Sequence, residues 1–160
     1  MLVIEKDSFV GGPSDDRVLK LEGFSRIKYP KSYIDFLKSY NGGIPETKRF
    51  KRNNNNEHVI ERFLCMTDSP DDSVLGDYDL AVVMTQLGAR LSYYPDELGD
   101  ELIPIASLFA GNFVCFDYRK SKTDPCVCIW DHEESDDFAP VTYYVANSFE
   151  AFIDMLEFLE

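Results

Sequence analysis

Four short segments rich in β-branched, aromatic and cysteine side chains follow one another between residues 102 and 146. They are Leu102 to Ala106, Asn112 to Tyr118, Pro125 to Trp130 and Val141 to Ala146. Gly111-Asn112 and the stretch Ser121 to Asp124 supply turn chemistry between them. Their lengths and composition fit neighbouring antiparallel strands joined by tight loops. A sheet of this kind has to bury a face, and the segments around it show what covers it.

The clearest cover is a helix that begins near Pro30, a residue suited to the first helical position because its missing N–H costs nothing there. Tyr33, Phe36, Leu37 and Tyr40 recur at i, i+3, i+4 and i+7, the mark of one buried helical face. Asn41-Gly42-Gly43 follows and gives the backbone a left-handed residue to close the helix. A shorter helix is predicted over Asp15 to Glu22, with Val18, Leu19 and Leu21 inward. A longer one is predicted from Asp77 to Tyr93, with Leu80, Val83, Met84, Leu87 and Leu91 on one stripe and Gly88 weakening it locally. A last helix follows Asn147, which with Glu150 forms a capping-box-like start, and turns Phe149, Phe152, Ile153, Leu156 and Leu159 inward. Residues 46–57, with four consecutive asparagines, read as a solvated loop, Arg62 to Met66 as a short strand and Asp68 to Asp72 as a turn. The prediction is an α+β fold in one domain, residues 1–160, with an antiparallel sheet of about four to six strands and helices packed against one face.

Composition narrows the function. The chain has 160 residues and is 44% hydrophobic, enough for one apolar core. No apolar run approaches the ~20 residues that cross a bilayer. The opening residues Met1 to Asp7 lack the basic and apolar regions of a signal peptide, so the expected location is the cytoplasm. The four cysteines agree with that as buried reduced thiols. Cys126 and Cys128 share one face of a strand, and with only His58 and His132 available a zinc site is not expected. No metal and no cofactor are predicted. The net charge of −13 is uneven. Residues 1–62 carry twelve Lys and Arg against nine Asp and Glu, while residues 63–160 carry four against twenty. Such a field repels nucleic acid and anionic membrane and favours a basic protein partner, although acidity also serves solubility alone.

The densest carboxylates lie in Asp131-His132-Glu133-Glu134-Ser135-Asp136-Asp137. Carboxylates beside a histidine could hold a divalent ion or form an acid–base pair, and a hydrolase using Asp131, His132 and Glu133 is the enzymatic alternative. The residues are contiguous on a predicted loop, however, and lack the central Gly and terminal Glu of a calcium loop. A solvated acidic hairpin or a partner-binding edge fits them better. Asp117, near the end of a predicted strand, is either a site-rim carboxylate or a turn hydrogen-bonder, and the sole tryptophan, Trp130, is expected to be buried beside the sheet. No nucleophile elbow, phosphate loop or His-Glu-x-x-His motif is present, and no catalytic residue is assigned.

Four blocks carry a resemblance. Tyr29-Pro30-Lys31-Ser32-Tyr33-Ile34-Asp35-Phe36-Leu37-Lys38-Ser39-Tyr40-Asn41-Gly42-Gly43 resembles the first signature of the SUKH superfamily, with Tyr29 in place of the usual Leu. Ile103-Pro104-Ile105-Ala106 with Gly111 to Tyr118 is similar to its central strands. Val127-Cys128-Ile129-Trp130-Asp131-His132-Glu133 resembles the strand that ends in Trp-Asp-His-Glu, and Val145 to Ile153 the closing Ser-Phe-Glu-x-Phe helix. Together the blocks cover most of residues 29–156. The resemblance implies a protein that binds a protein and does not catalyse. It would be a bacterial immunity protein (antitoxin) neutralising a polymorphic or contact-dependent toxin, many of which are nucleases, or else a regulator or scaffold like the yeast cell-wall-assembly regulator. The partner-binding residues proposed on this reading are Asp117, Asp131, His132, Glu133, Glu134, Asp136 and Asp137.

Overall fold

A computed structural model describes residues 1–53 and 55–160. Helix α1 spans Asp15–Ser25 and starts where Ser14 accepts the Arg17 N–H at 3.1 Å, with Asp15 and Asp16 complementing the dipole of the first turn. It runs past the expected Glu22 to a left-handed Arg26. Val18 is buried and Leu21 half-buried. Leu19, expected inward beside them, is 60% exposed, because at one residue past Val18 it lies about 100° around the helix. Helix α2, Lys31–Tyr40, buries Tyr33, Phe36 and Leu37 as its spacing predicts. Gly42 takes the left-handed turn at φ +79°, and a Cβ on Gly43 would stand 2.6 Å from Ile4 Cγ2, so the start of the chain packs directly on this turn.

The segment read as a polar loop is instead the first hairpin. Strands β1, Arg49–Arg52, and β2, Asn56–Phe63, pair antiparallel, with Phe50 opposite His58. Phe50 is the one large apolar side chain in a basic and asparagine-rich run. It is buried edge-on against Phe152, at 5.2 Å between ring centroids. One inward side chain is too little for periodicity to register.

Helix α3 is Leu80–Leu87, shorter than the expected Asp77–Tyr93. Its start is fixed by buried Asp79, whose carboxylate accepts from Ala81 N at 2.8 Å and from both the amide and hydroxyl of Thr67 at 2.9 Å. Gly88, at φ +52°, ends it, and the chain continues as a 3-10 turn over Gly88–Leu91. Strands β3 (Leu102–Leu108), β4 (Phe113–Asp117), β5 (Cys126–Trp130) and β6 (Thr142–Ala146) follow close to the expected ranges. Helix α4, Phe149–Asp154, is capped by Ser148 rather than Asn147, since Ser148 Oγ accepts the Ala151 N–H at 3.1 Å. Because α4 ends at Asp154, Leu159 lies beyond it and is exposed.

The six strands form one antiparallel sheet in the order β1-β2-β3-β4-β5-β6, so the fold is α+β as predicted. On one face α2 and α4 interlock with the sheet through aromatic edges: Tyr33 meets Phe116 at 5.0 Å and Phe149 at 5.3 Å, and Phe36 meets Phe63 at 4.7 Å. The opposite face is also covered. Leu102, Cys115, Cys128 and Trp130 form a second cluster beneath Leu91 of the 3-10 turn, with Leu87 and Tyr93 beside it. Burial on both faces explains the unbroken apolar runs of β4 and β5, where a one-faced strand would alternate. Each connection β1–β2, β3–β4 and β5–β6 is a turn at the same end of the sheet, and the site is built there.

Candidate functional site

Residues 131–141 connect β5 to β6 and are held by hydrogen bonds within the connection. Asp131 Oδ1 accepts the N–H groups of Glu133 and Glu134, both at 2.9 Å, and the Asp131 carbonyl accepts from Ser135 N at 3.1 Å. Buried Ser135 then takes the Val141 N–H on its hydroxyl oxygen at 2.8 Å, and Asp136 and Ala139 exchange backbone bonds. Asp131 is therefore a turn-forming residue, its side chain committed locally.

Two neighbouring turns anchor the loop from outside. From the β3–β4 turn, Asn112 Oδ1 accepts the backbone N–H of His132 at 3.0 Å and its ring Nδ1–H at 2.7 Å. The imidazole lies flat on Gly111, where a Cβ would come within 3.1 Å of His132 Cε1. From the 3-10 turn, Arg90 donates to the carbonyls of His132 and Ser135, the latter at 3.2 Å. Its guanidinium lies 5.0 Å from the Trp130 ring centroid, and the indole N–H returns to the Arg90 carbonyl at 3.0 Å. Ala89 adds a carbonyl for the Phe138 N–H at 2.9 Å. Trp130 is fully buried, as expected, and forms the floor of this assembly.

The predicted residues thus divide. Glu133, Glu134, Asp136 and Asp137 are exposed, on a loop tied by its own hydrogen bonds. Glu134 is steadied by the Tyr143 hydroxyl at 2.7 Å, and the Arg52 guanidinium stacks 4.4 Å over that tyrosine, so the first and last strands of the sheet meet here. Asp131 and His132 are half-buried and serve the loop's own geometry. Asp117 is not brought to them. It sits at the far end of β4, opposite Cys126, whereas the loop leaves the sheet at Trp130, opposite Phe113. Arg119 grips it in a bidentate pair at 2.6 and 2.9 Å and reaches Thr142 Oγ1 at 2.9 Å. Burial pushes the Asp117 carboxyl upward, but the hydrogen bonds and charge of Arg119 outweigh it and hold the pKa below the ordinary carboxylate value.

Sequence reasoning passed over Arg90, Phe109 and Phe138, and read Asn112 as a turn residue without its tie to His132. One signal for Arg90 was available: it is the only Lys or Arg between residues 63 and 118. Phe109 and Phe138 carried none, since a single apolar residue in a turn has no periodicity.

Among the described residues no group of three or more His, Cys, Asp or Glu side chains is arranged to hold a metal ion. The four thiols are free. Burial pushes the Cys65 thiol up to about 12 and raises Cys115, Cys126 and Cys128 as well, so all four stay protonated near neutrality and are poor nucleophiles. No helix among the described residues is long and apolar enough to cross a membrane.

A two-sided antiparallel sheet with helical cover and a hydrogen-bonded acidic loop at one end defines an α+β module. The chain belongs to the SMI1 / KNR4 family (SUKH-1), whose family model matches residues 12–155. It is 32% identical over 149 residues to the SPbeta prophage-derived uncharacterized protein YokK of Bacillus subtilis (strain 168), an alignment covering 88% of this chain and 72% of that protein. Proteins of the family typically bind partner proteins.

Proposed function

We propose that this chain is an immunity protein that binds and neutralises a basic toxin of the polymorphic or contact-dependent kind, without catalysis. The observation that carries the reading is the exposed carboxylate set Glu133, Glu134, Asp136 and Asp137 on a loop whose internal hydrogen bonds are already satisfied. A preordered acidic loop loses little conformational entropy on binding and steers a basic partner during encounter. The similarity to a prophage-derived protein and the family's habit of binding proteins support it. In this reading Asp131 and His132 shape the loop, and Asp117, neutralised by Arg119, contributes little to the contact. A toxin that uses nucleic acid as substrate would present the basic cleft such a loop fits.

The test is protection. A gene beside this one that encodes a large secreted protein with a basic C-terminal domain supplies the toxin, and co-expression of that domain with this chain should restore growth. Reversing Glu133, Glu134, Asp136 and Asp137 should abolish the rescue. A host housekeeping protein as the only partner, with no such neighbouring gene, would instead make this chain a regulator or scaffold of the same family.

A further inference from the structure

We propose that the cleft between α1 and α3 is a binding site for a small aromatic acid whose ring carries a hydroxyl group. The site is separate from the acidic loop and independent of its reading. Asp100, which lines the cleft, leads into Leu102, and Leu102 pairs with Asp117 at the end of β4 far from that loop.

The cleft has a volume of about 380 Å³, within the roughly 300–1,000 Å³ of small-ligand sites. Leu21, Phe24, Leu80, Ala81 and Met84 make its walls mainly apolar, and Phe24 is left 79% exposed. Its charged and phenolic groups come from separate elements: Arg17 and Lys20 from α1, Tyr29 from the link between α1 and α2, and Asp100 from the approach to β3. Asp100 is fixed through its backbone. Its N–H donates to the Ser25 carbonyl at 2.9 Å, and a Cβ on Gly99, at φ +79°, would stand 2.5 Å from that same oxygen.

Two observations define the occupant. The first is a pair of unsatisfied oxygens. Tyr29 is 6% exposed and its hydroxyl has no hydrogen-bond partner, and Asp100 Oδ2 is likewise buried and unpartnered. The Tyr33 hydroxyl is unpartnered too, but it is enclosed in the core, whereas Tyr29 and Asp100 line one cleft. A phenylalanine at position 29 would fill the same space without the cost of a dry hydroxyl. A ligand hydroxyl answers both needs, since it donates to a carboxylate and accepts from a phenol. Both oxygens are shielded from solvent, so the ligand reaches them by parting the lining side chains, and the bonds form away from water, where they count most.

The second observation is charge. Among the described residues neither Arg17 nor Lys20 forms an ion pair, although the chain carries a net charge of −13. Arg17 spends only its Nε–H, on the Thr67 carbonyl at 3.0 Å. At 1.5 Å per residue along α1, Lys20 stands about 7.5 Å and Arg17 about 12 Å from Ser25, where Asp100 is bound. That span suits a hydroxyphenyl ring with a short acid chain, its hydroxyl at Tyr29 and Asp100 and its carboxylate at the two cations. The Phe24 ring and the Met84 sulfur favour a flat aromatic body between them.

The test is calorimetric titration of the full chain with 3-(4-hydroxyphenyl)propionate, with amide NMR locating the contact. Binding with a Kd below about 1 mM is expected, with shifts in residues 17–25, 80–85 and 100. Two analogues, 3-phenylpropionate without the hydroxyl and 3-(4-hydroxyphenyl)propionamide without the charge, should each bind about tenfold more weakly, the scale of one such contact. In Tyr29→Phe/Asp100→Asn the hydroxyl preference should vanish while 3-phenylpropionate binds as before. Lys20→Gln should weaken both acids alike. Tyr29→Phe alone should melt no lower than the wild type and still lose part of the preference, so the comparison survives if the double variant fails to fold. Absence of binding at millimolar ligand, equal binding of the three ligands, shifts confined to other residues, a hydroxyl preference kept in the variants, or a lowered midpoint in Tyr29→Phe overturns the proposal.

Discussion

Asn41 shows how much of this chain's signature is structural. Its side chain is fully buried and makes three bonds: Nδ2 donates to the carbonyls of Gly11 at 2.9 Å and Met66 at 2.8 Å, and Oδ1 accepts the Met66 N–H at 2.8 Å. It ties the end of α2 to two segments remote in sequence, so Asn41→Ala should cost about 2–4 kcal/mol, because removing it leaves buried backbone groups unpaired. A urea melt giving less than about 1 kcal/mol would show that water replaces the side chain. The Tyr-Asn-Gly-Gly motif was legible as a helix stop, but its long-range ties were not, since one sequence contains no trace of which distant carbonyls meet an amide. His58 carries a pH dependence. Burial, then the Arg52 charge, lowers its pKa from the ordinary 6.5, so the folded state prefers the neutral ring stacked on Phe50. That preference stabilises the fold fully above pH 6.5 and is lost as pH falls toward the depressed folded value. Between pH 7.5 and 5.5 the wild type should lose more thermal stability than His58→Gln, whose carboxylates titrate alike. Parallel losses in the two proteins would remove His58 from the account.

At the scale of elements, the acidic loop depends on a residue outside it. Arg90 holds two carbonyls of residues 131–139 and stacks on Trp130, yet it belongs to the 3-10 turn some forty residues earlier. Arg90→Ala should leave global stability within about 1–2 kcal/mol, as for a partly exposed polar tie, while amide exchange in residues 132–139 rises at least tenfold. Unchanged exchange there would mean the loop holds its shape through Asp131 and Ser135 alone. This element was half visible in sequence. Asp131-His132-Glu133-Glu134 read correctly as a loop because carboxylates crowd it, but the helix drawn from Asp77 to Tyr93 hid the turn that supports it. Gly88 at φ +52° breaks that helix, and the stripe of Leu87 and Leu91 continues across the break onto the sheet's second face. The hairpin of β1 and β2 was missed for the opposite reason: Phe50 is the one large apolar residue in the polar run of residues 46–57.

For the whole molecule, the legible part was the packing and the illegible part was the assembly of one end. Continuous apolar runs at Val114 to Phe116 and Cys126 to Trp130 are what a sheet covered on both faces requires, and both faces are covered. The joining of Asn112, Arg90, His132 and Phe138 takes two causes: strand order brings the β3–β4 and β5–β6 turns to one end, and the 3-10 turn carrying Ala89 and Arg90 bonds to the second of them. No local pattern encodes it. The charge asymmetry gains meaning only there. Its excess of carboxylates in residues 63–160 includes four that stand exposed on a fixed loop. The most direct test compares quantitative affinity capture from the native host on the wild type and on a variant with Glu133, Glu134, Asp136 and Asp137 all changed to Lys. A basic protein enriched on the wild type and absent from the variant, with recovery falling as salt rises, is the predicted result. The same partners recovered equally by both proteins would contradict the account.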